Sequence, residues 1–181
     1  MRNQILIFFS LFSIYSSYLF SDDQSWKDQD AYIQLSSVAT QVPTPGTGSL
    51  IIGETIDLIK NFEVTPNRDG IICIIPGKYL IFTSNQIATL SRGISGYLDS
   101  WFVLNGTAIS SSNTRQFVTE NSRSGLVTNC LLIDLKETDV FSVAFLANGP
   151  NIGLVYIQSS LSSEPSVTSY SLSAYRLRHP L

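Results

Sequence analysis

The sequence predicts an all-β protein, and three observations carry that prediction. From Ala31 onward the chain breaks into short runs rich in Val, Ile, Tyr, Phe and Thr. Clusters of Gly, Pro, Asn and Ser punctuate these runs at the spacing of successive strands and turns. After Ser21 no segment keeps apolar residues at i, i+3 and i+4 for three helical turns, because Gly, Pro or a β-branched run always interrupts. Hydrophobic residues make up 44% of the chain and charged ones 14%, a balance that supplies a core and argues against disorder. Some ten strands in roughly 150 residues leave two architectures, a double-sheet jelly roll or a closed barrel.

The first element is an address. Arg2, an apolar stretch from Ile5 to Phe20 broken only by serines, and a small Ser21 before Asp22 and Asp23 make residues 1–21 a secretory signal peptide. The stretch falls short of the ~20 apolar residues a spanning helix needs, and no later stretch is longer. Residues 22–30 then form a short linker, and 31–181 one folded domain. Strands are expected near Tyr32 to Val38, Thr55 to Val64, Gly70 to Ile74, Gly77 to Leu90 and Tyr97 to Leu104. Five more are expected near Arg115 to Glu120, Leu126 to Leu135, Asp139 to Leu146, Gly153 to Ser159 and Thr168 to Leu177. In the eighth, Val140, Ser142, Ala144 and Leu146 alternate with Phe141, Val143 and Phe145, so both faces are apolar, as in a sandwich core. In the last, Tyr170, Leu172, Ala174 and Arg176 alternate with a serine-rich face that carries Tyr175, a pattern that reads as edge-like or interfacial. The segment Gln41 to Ser49, with Pro43, Pro45, Gly46 and Gly48, is a loop and not a collagen repeat, since glycine does not recur every third residue.

Several functions are disfavoured by what the chain lacks. Eleven basic against 14 acidic residues give a net charge of −3, no basis for holding phosphate backbones, so nucleic acid is not an expected partner. Two cysteines and one histidine cannot make a four-ligand zinc site of the usual Cys/His type. Gly46, Gly48 and Gly53 lack the Lys-Ser/Thr ending of a phosphate loop. Serines abound, yet none sits in G-x-S-x-G, and the only candidate base, His179, lies two residues from the C-terminus. Carboxylates at Asp57, Glu63, Asp69, Asp99, Glu120, Asp134, Glu137 and Asp139 are scattered as in solvated turns; no ordered run of them marks a metal loop. No cofactor is expected. Asn105-Gly106-Thr107 is both a glycosylation sequon and a turn dipeptide. Tyr97, Trp101, Phe102 and Tyr156 offer a sugar-stacking platform, with core packing as their commoner fate.

Cys73-Ile74-Ile75-Pro76-Gly77-Lys78-Tyr79, with Phe82 after it, reads as C-x-x-P-G-x-Y-x-x-F behind Asp69-Gly70. Pro fixes the first turn angle and Gly supplies the positive φ, so the flanking apolar runs read as a hairpin. This stretch resembles the signature of the complement component 1q globular head, in the tumour necrosis factor-like superfamily. Ser124-Gly125-Leu126, leading to Leu132, Leu135, Asp139 and Val143, is similar to a second stretch of that family, and Ser169 to Tyr175 to its last strand. The resemblance covers about Ala31 to Leu177. It implies a ten-stranded two-sheet jelly roll in which Tyr79 enters the core and protomers associate as a trimer. It also places Cys73 and Cys130 on strands of opposite sheets, so free thiols are expected in preference to a bridge.

The function that the resemblance implies is that of a secreted, non-enzymatic, trimeric binding or surface-coat head that recognises a protein or glycan. The other readings are a structural surface or virion protein and an extracellular carbohydrate-active enzyme on a jelly-roll frame. Trimer packing needs an apolar face, for which Phe117, Tyr156, Tyr170 and Tyr175 are the candidates. If the leader is removed as expected, N-terminal sequencing of secreted protein finds Asp22 at or near its start, whereas full-length chain in the membrane pellet identifies a retained anchor.

Overall fold

The computed structural model describes residues 30–119 and 124–178. The expected signal peptide, residues 22–29 of the linker, Glu120 and His179 lie outside them. Thirteen strands and no helix are present among the described residues. They are β1 (Tyr32–Ser37), β2 (Ser49–Leu50), β3 (Thr55–Lys60), β4 (Phe62–Val64), β5 (Ile71–Cys73), β6 (Gly77–Thr89) and β7 (Gly96–Leu104). The remaining six are β8 (Thr107–Ala108), β9 (Thr114–Val118), β10 (Ser124–Leu135), β11 (Val140–Ala147), β12 (Ile152–Leu154) and β13 (Tyr170–Arg176).

All pairings are antiparallel and fall into two sheets. One runs β10-β6-β13-β1-β3, with β12 beside the far end of β6; the other runs β4-β5-β11-β7-β8, with β2 also on β11 and β9 on β7. Taking the eight strands β1, β5, β6, β7, β9, β10, β11 and β13 in chain order, the first lies beside the last, then the third and the sixth. The second lies beside the seventh, then the fourth and the fifth. This interleaving is the jelly roll.

Period-two alternation decides which side chains fill the space between the sheets. Ile33 and Leu35 of β1, Tyr79 and Ile81 of β6, and Leu172 of β13 face Phe102 of β7 and Phe141, Val143 and Phe145 of β11, all buried. Phe102 and Phe141 pack at 5.3 Å between ring centroids, and Phe62 meets Tyr79 edge-on at 5.2 Å across the sandwich.

A strand stands at each of the ten expected places, but the ninth, expected from Gly153 to Ser159, is only Ile152–Leu154, and three further details differ. The second is split into β3 and β4 at Asn61, whose φ of +56° is a left-handed conformation that asparagine tolerates. Two-residue β2 and β8 are absent from the sequence expectation, because a strand that short has no period to read. The last strand is no edge: β13 sits between β6 and β1, and its serine-rich side is simply the outer face of a central strand.

The Pro76-Gly77 turn also differs from the hairpin the sequence suggests. β5 and β6 belong to opposite sheets and do not pair, so the turn carries the chain across the sandwich. Gly77 has φ +156°, and a side chain there would meet Arg176 Nε at 2.6 Å. Ile75 is the hub of this corner: its carbonyl accepts from the Cys73 thiol at 3.0 Å and from the Tyr79 hydroxyl at 2.5 Å.

Burial pushes the Cys73 thiol above its ordinary 9.0. Burial does the same to the Tyr79 and Tyr170 phenols, ordinarily at 10.0, with nearby Cys73 adding to the effect at Tyr79. The folded chain thus keeps protons that the unfolded chain releases, so the contribution of these three groups to stability is fully present up to about pH 9 and is lost above it. Denaturant titrations across pH are expected to show that fall, and Tyr170→Phe to flatten it. Tyr79→Phe, which also loses the bond to Ile75, costs about 1 kcal/mol at neutral pH.

Candidate interaction face

The outer face of the first sheet is built by the same alternation that fills the core. Leu132, Leu80, Tyr175 and Tyr32 stand in register across β10, β6, β13 and β1. The next row holds Cys130, Phe82, Ser173, Gln34 and Leu58, reaching β3. Beyond it come Thr128, Ser84, Ser171 and Ser36, then Leu126 beside Gln86. Charged side chains enter at the margins, at Lys60 and in the Lys78–Asp134 row.

This face is open to solvent. Phe82 and Leu132 are each 46% exposed, Tyr175 44% and Leu58 53%. Soluble domains seldom leave a contiguous apolar surface uncovered unless something binds it. Because few charges stand on it, covering the face strips little hydration from ionic groups.

The four tyrosine and phenylalanine candidates do not come together. Only Tyr175 lies on this face. Tyr170 is 3% exposed and belongs to the core, as the strand period requires of two residues five apart. Tyr156 is half-buried in the segment after β12, where its N–H donates to Thr40 Oγ1 at 3.3 Å. Phe117 is 62% exposed but lies on β9 of the second sheet. There it packs edge-on to Tyr97, with ring centroids 5.9 Å apart.

The sugar-stacking set is likewise dispersed. Phe102 is in the core. Trp101 is half-buried, its indole edge 3.3 Å from where a side chain at Gly48 would begin. Tyr97 carries the Arg115 guanidinium 3.8 Å above its ring. Arg115 is at the same time bidentate on Asp99, at 2.7 and 2.8 Å, and that pairing raises its pKa further.

Asp139 is also engaged locally. Its carboxylate accepts from Asn105 Nδ2 at 2.8 Å and from the Lys136 N–H at 2.7 Å. Asn105 Oδ1 accepts from the Val140 N–H at 2.8 Å, which ties two turns together. Asn105 and Gly106, at φ +50° and +77°, make the tight turn between β7 and β8. A glycan at this sequon would replace the second amide hydrogen of Asn105, since the first is bonded to Asp139. Among the described residues no three His, Cys, Asp or Glu side chains gather as metal ligands, and no helix is long and apolar enough to cross a membrane.

Of the motif residues, Cys73, Pro76, Gly77 and Tyr79 build the corner around Ile75, while Phe82 points away from it to the outer face. Leu80, Leu132, Leu58, Tyr32 and Cys130 join that face although the sequence reading does not single them out for it. For Leu80 and Leu132 the signal was two paired strands apolar on both sides, Tyr79 to Phe82 and Leu131 to Ile133. A scan against protein-family models finds no match to the chain, and a search of curated proteins finds none.

Cys73 is buried in the second sheet, Cys130 exposed on the outer face of the first, and both are free thiols. Alkylation in denaturant without reductant is expected to add two labels per chain; a chain that takes none contains the bridge.

Proposed function

We propose that the chain is a secreted, non-enzymatic binding or surface-coat head of the complement component 1q or tumour necrosis factor type. It works as a homotrimer and contacts a protein or glycan partner through its loops and outer strands. The observation that carries this reading is the apolar outer face formed by Leu132, Leu80, Tyr175, Tyr32, Phe82 and Leu58. Two further features support it: the C-x-x-P-G-x-Y run with Tyr79 fully buried, and the jelly-roll strand order that sets the first and last strands side by side.

A three-fold ring joins two different patches on each protomer, since its contacts are head-to-tail. The apolar outer face is one. Phe117 with the open edge of β10 supplies the second, on the flank where the two sheets end. Covering a side chain that is already half-buried contributes about 1 kcal/mol. Several such side chains are needed to offset an association cost of about 4 to 15 kcal/mol, which favours the whole face over any single residue as the contact.

Light scattering on protein starting at Asp22 is expected to give three chains per particle. Introducing charge with Phe82→Asp and Leu132→Asp is expected to weaken association at least about 100-fold while the variant stays folded. The same variant uncovers Cys130 to thiol reagents under native conditions. A wild-type protein that is a monodisperse monomer at micromolar concentration overturns the proposal.

A further inference from the structure

The turn between β7 and β8 is followed by a residue that its geometry does not use. Asn105 and Gly106, at φ +50° and +77°, bend the chain, and both residue types suit that conformation. The bend asks nothing of the next position. Thr107 is exposed and pairs with Leu104 through its backbone, while its hydroxyl takes no part in the turn. Asn-x-Thr nevertheless stands here, and no other asparagine in the chain has Ser or Thr two places after it.

The surroundings leave room for an attached sugar. All three residues of the sequon are exposed, and beyond its chain neighbours nothing stands within 4 Å of where a side chain at Gly106 would begin. Asn105 Nδ2 makes one hydrogen bond, to Asp139, and a glycosylated amide still carries one hydrogen. The Oδ1 atom, which accepts from the Val140 N–H, is not touched by the linkage. The turn also stands clear of both patches proposed for the trimer. It belongs to the second sheet and not to the outer face of the first. Phe117 lies opposite Tyr97 at the other end of β7, roughly 25 Å along the strand from Asn105.

We infer that Asn105 is a modification site and carries an N-linked glycan on the exported protein. This rests on the reading of the chain as secreted, because the donor, a lipid-diphosphate-linked oligosaccharide, is met on the secretory route of a eukaryotic cell. Asn105 Nδ2 forms the new bond to the anomeric carbon of the donor's first sugar. The bond from that carbon to the diphosphate oxygen breaks, the lipid diphosphate leaves, and one amide proton is released. The glycan then covers the end of the sandwich where the turn after β7 meets the turn at 136–139, so a partner is left the outer face of the first sheet and the opposite end.

The full chain, and the same chain with residues 1–21 replaced by a heterologous secretory leader, are expressed in eukaryotic cells. Intact mass is read on protein from the medium and from the microsomal fraction. Both chains are expected to be heavier than the bare polypeptide by one glycan, which peptide N-glycosidase removes. Thr107→Ala leaves Asn105, Gly106 and hence the turn in place; it is expected to lose the glycan entirely, and Thr107→Ser to keep it. A glycan on the replaced-leader chain alone upholds the site and identifies the chain's own leader as what fails. Bare mass for both chains overturns the inference and leaves the sequon as a turn only. A modification that survives Thr107→Ala also overturns it, because it sits elsewhere.

Discussion

The pairing of β1 with β13 is the contact on which the rest of the molecule depends. It joins the first and last strands of the domain, and β13 is itself wedged between β1 and β6 in the middle of its sheet. Ser169 reinforces the junction, its hydroxyl donating to the Ala39 carbonyl at 2.6 Å and its N–H to the Ser37 carbonyl at 2.9 Å. Until Tyr170–Arg176 arrives, β1 and β3 have no other strand of their sheet to pair with, and the core lacks Tyr170, Leu172 and Ala174. Closing so long a loop is an entropic cost that precedes its reward, so the joining of β1 to β13 is expected to be a late event in folding. The outer face has the same dependence, because Tyr175 and Tyr32 are adjacent on it only through that pairing.

Local rules made the strands legible and left their partners hidden. Alternation in Val140 to Leu146 and Tyr170 to Arg176 reports strand and face directly, since the period is a property of the backbone. The assignment of each strand to a sheet is not local. Pro76-Gly77 makes a sharp turn whether the flanking strands pair or part company, and here they part. The same gap explains the interface candidates. Tyr170 and Tyr175 are five residues apart, so one strand presents them on opposite sides, and the period already excluded the pair as a joint surface. Leu80, Phe82 and Leu132 were legible in principle: an inward set of Tyr79, Ile81 and Ile133 leaves their neighbours nowhere to go but outward. What the sequence does not contain is the register of β10 on β6, which turns separate apolar residues into a row.

The polar interior depends on equally specific pairing. Asn129 faces Thr83, and Ser100 receives an amide from each of two strands in the opposite sheet. Slipping β10 by one residue would carry Asn129 to the outer face and Cys130 to the inner, so the amides penalise misalignment that the surrounding Val and Ile side chains would tolerate. Thr83 Oγ1, Asn85 Oδ1 and Asn129 Oδ1 are left buried without a partner, and that is the cost of the specificity.

The two ends of the sandwich are constructed differently. At one, the turns at residues 74–76, 105–106 and 136–139 are laced together: the Cys73 N–H donates to the Asp139 carbonyl, the Thr138 N–H to the Cys73 carbonyl and the Asn105 N–H to the Val140 carbonyl. At the other, long connections at 38–48 and 155–169 carry exposed Val38, Val42, Ile157, Leu161 and Val167 and are joined to each other at their ends, by Tyr156 to Thr40 and Ser169 to Ala39. Sequence drift therefore meets resistance that depends on where it falls. A substitution among the short turns disturbs several strands at once, while the long connections can lengthen, shorten or change chemistry with the sheets intact. Relatives of this chain would be expected to keep the corner around Ile75 and to differ most in what they present at the opposite pole.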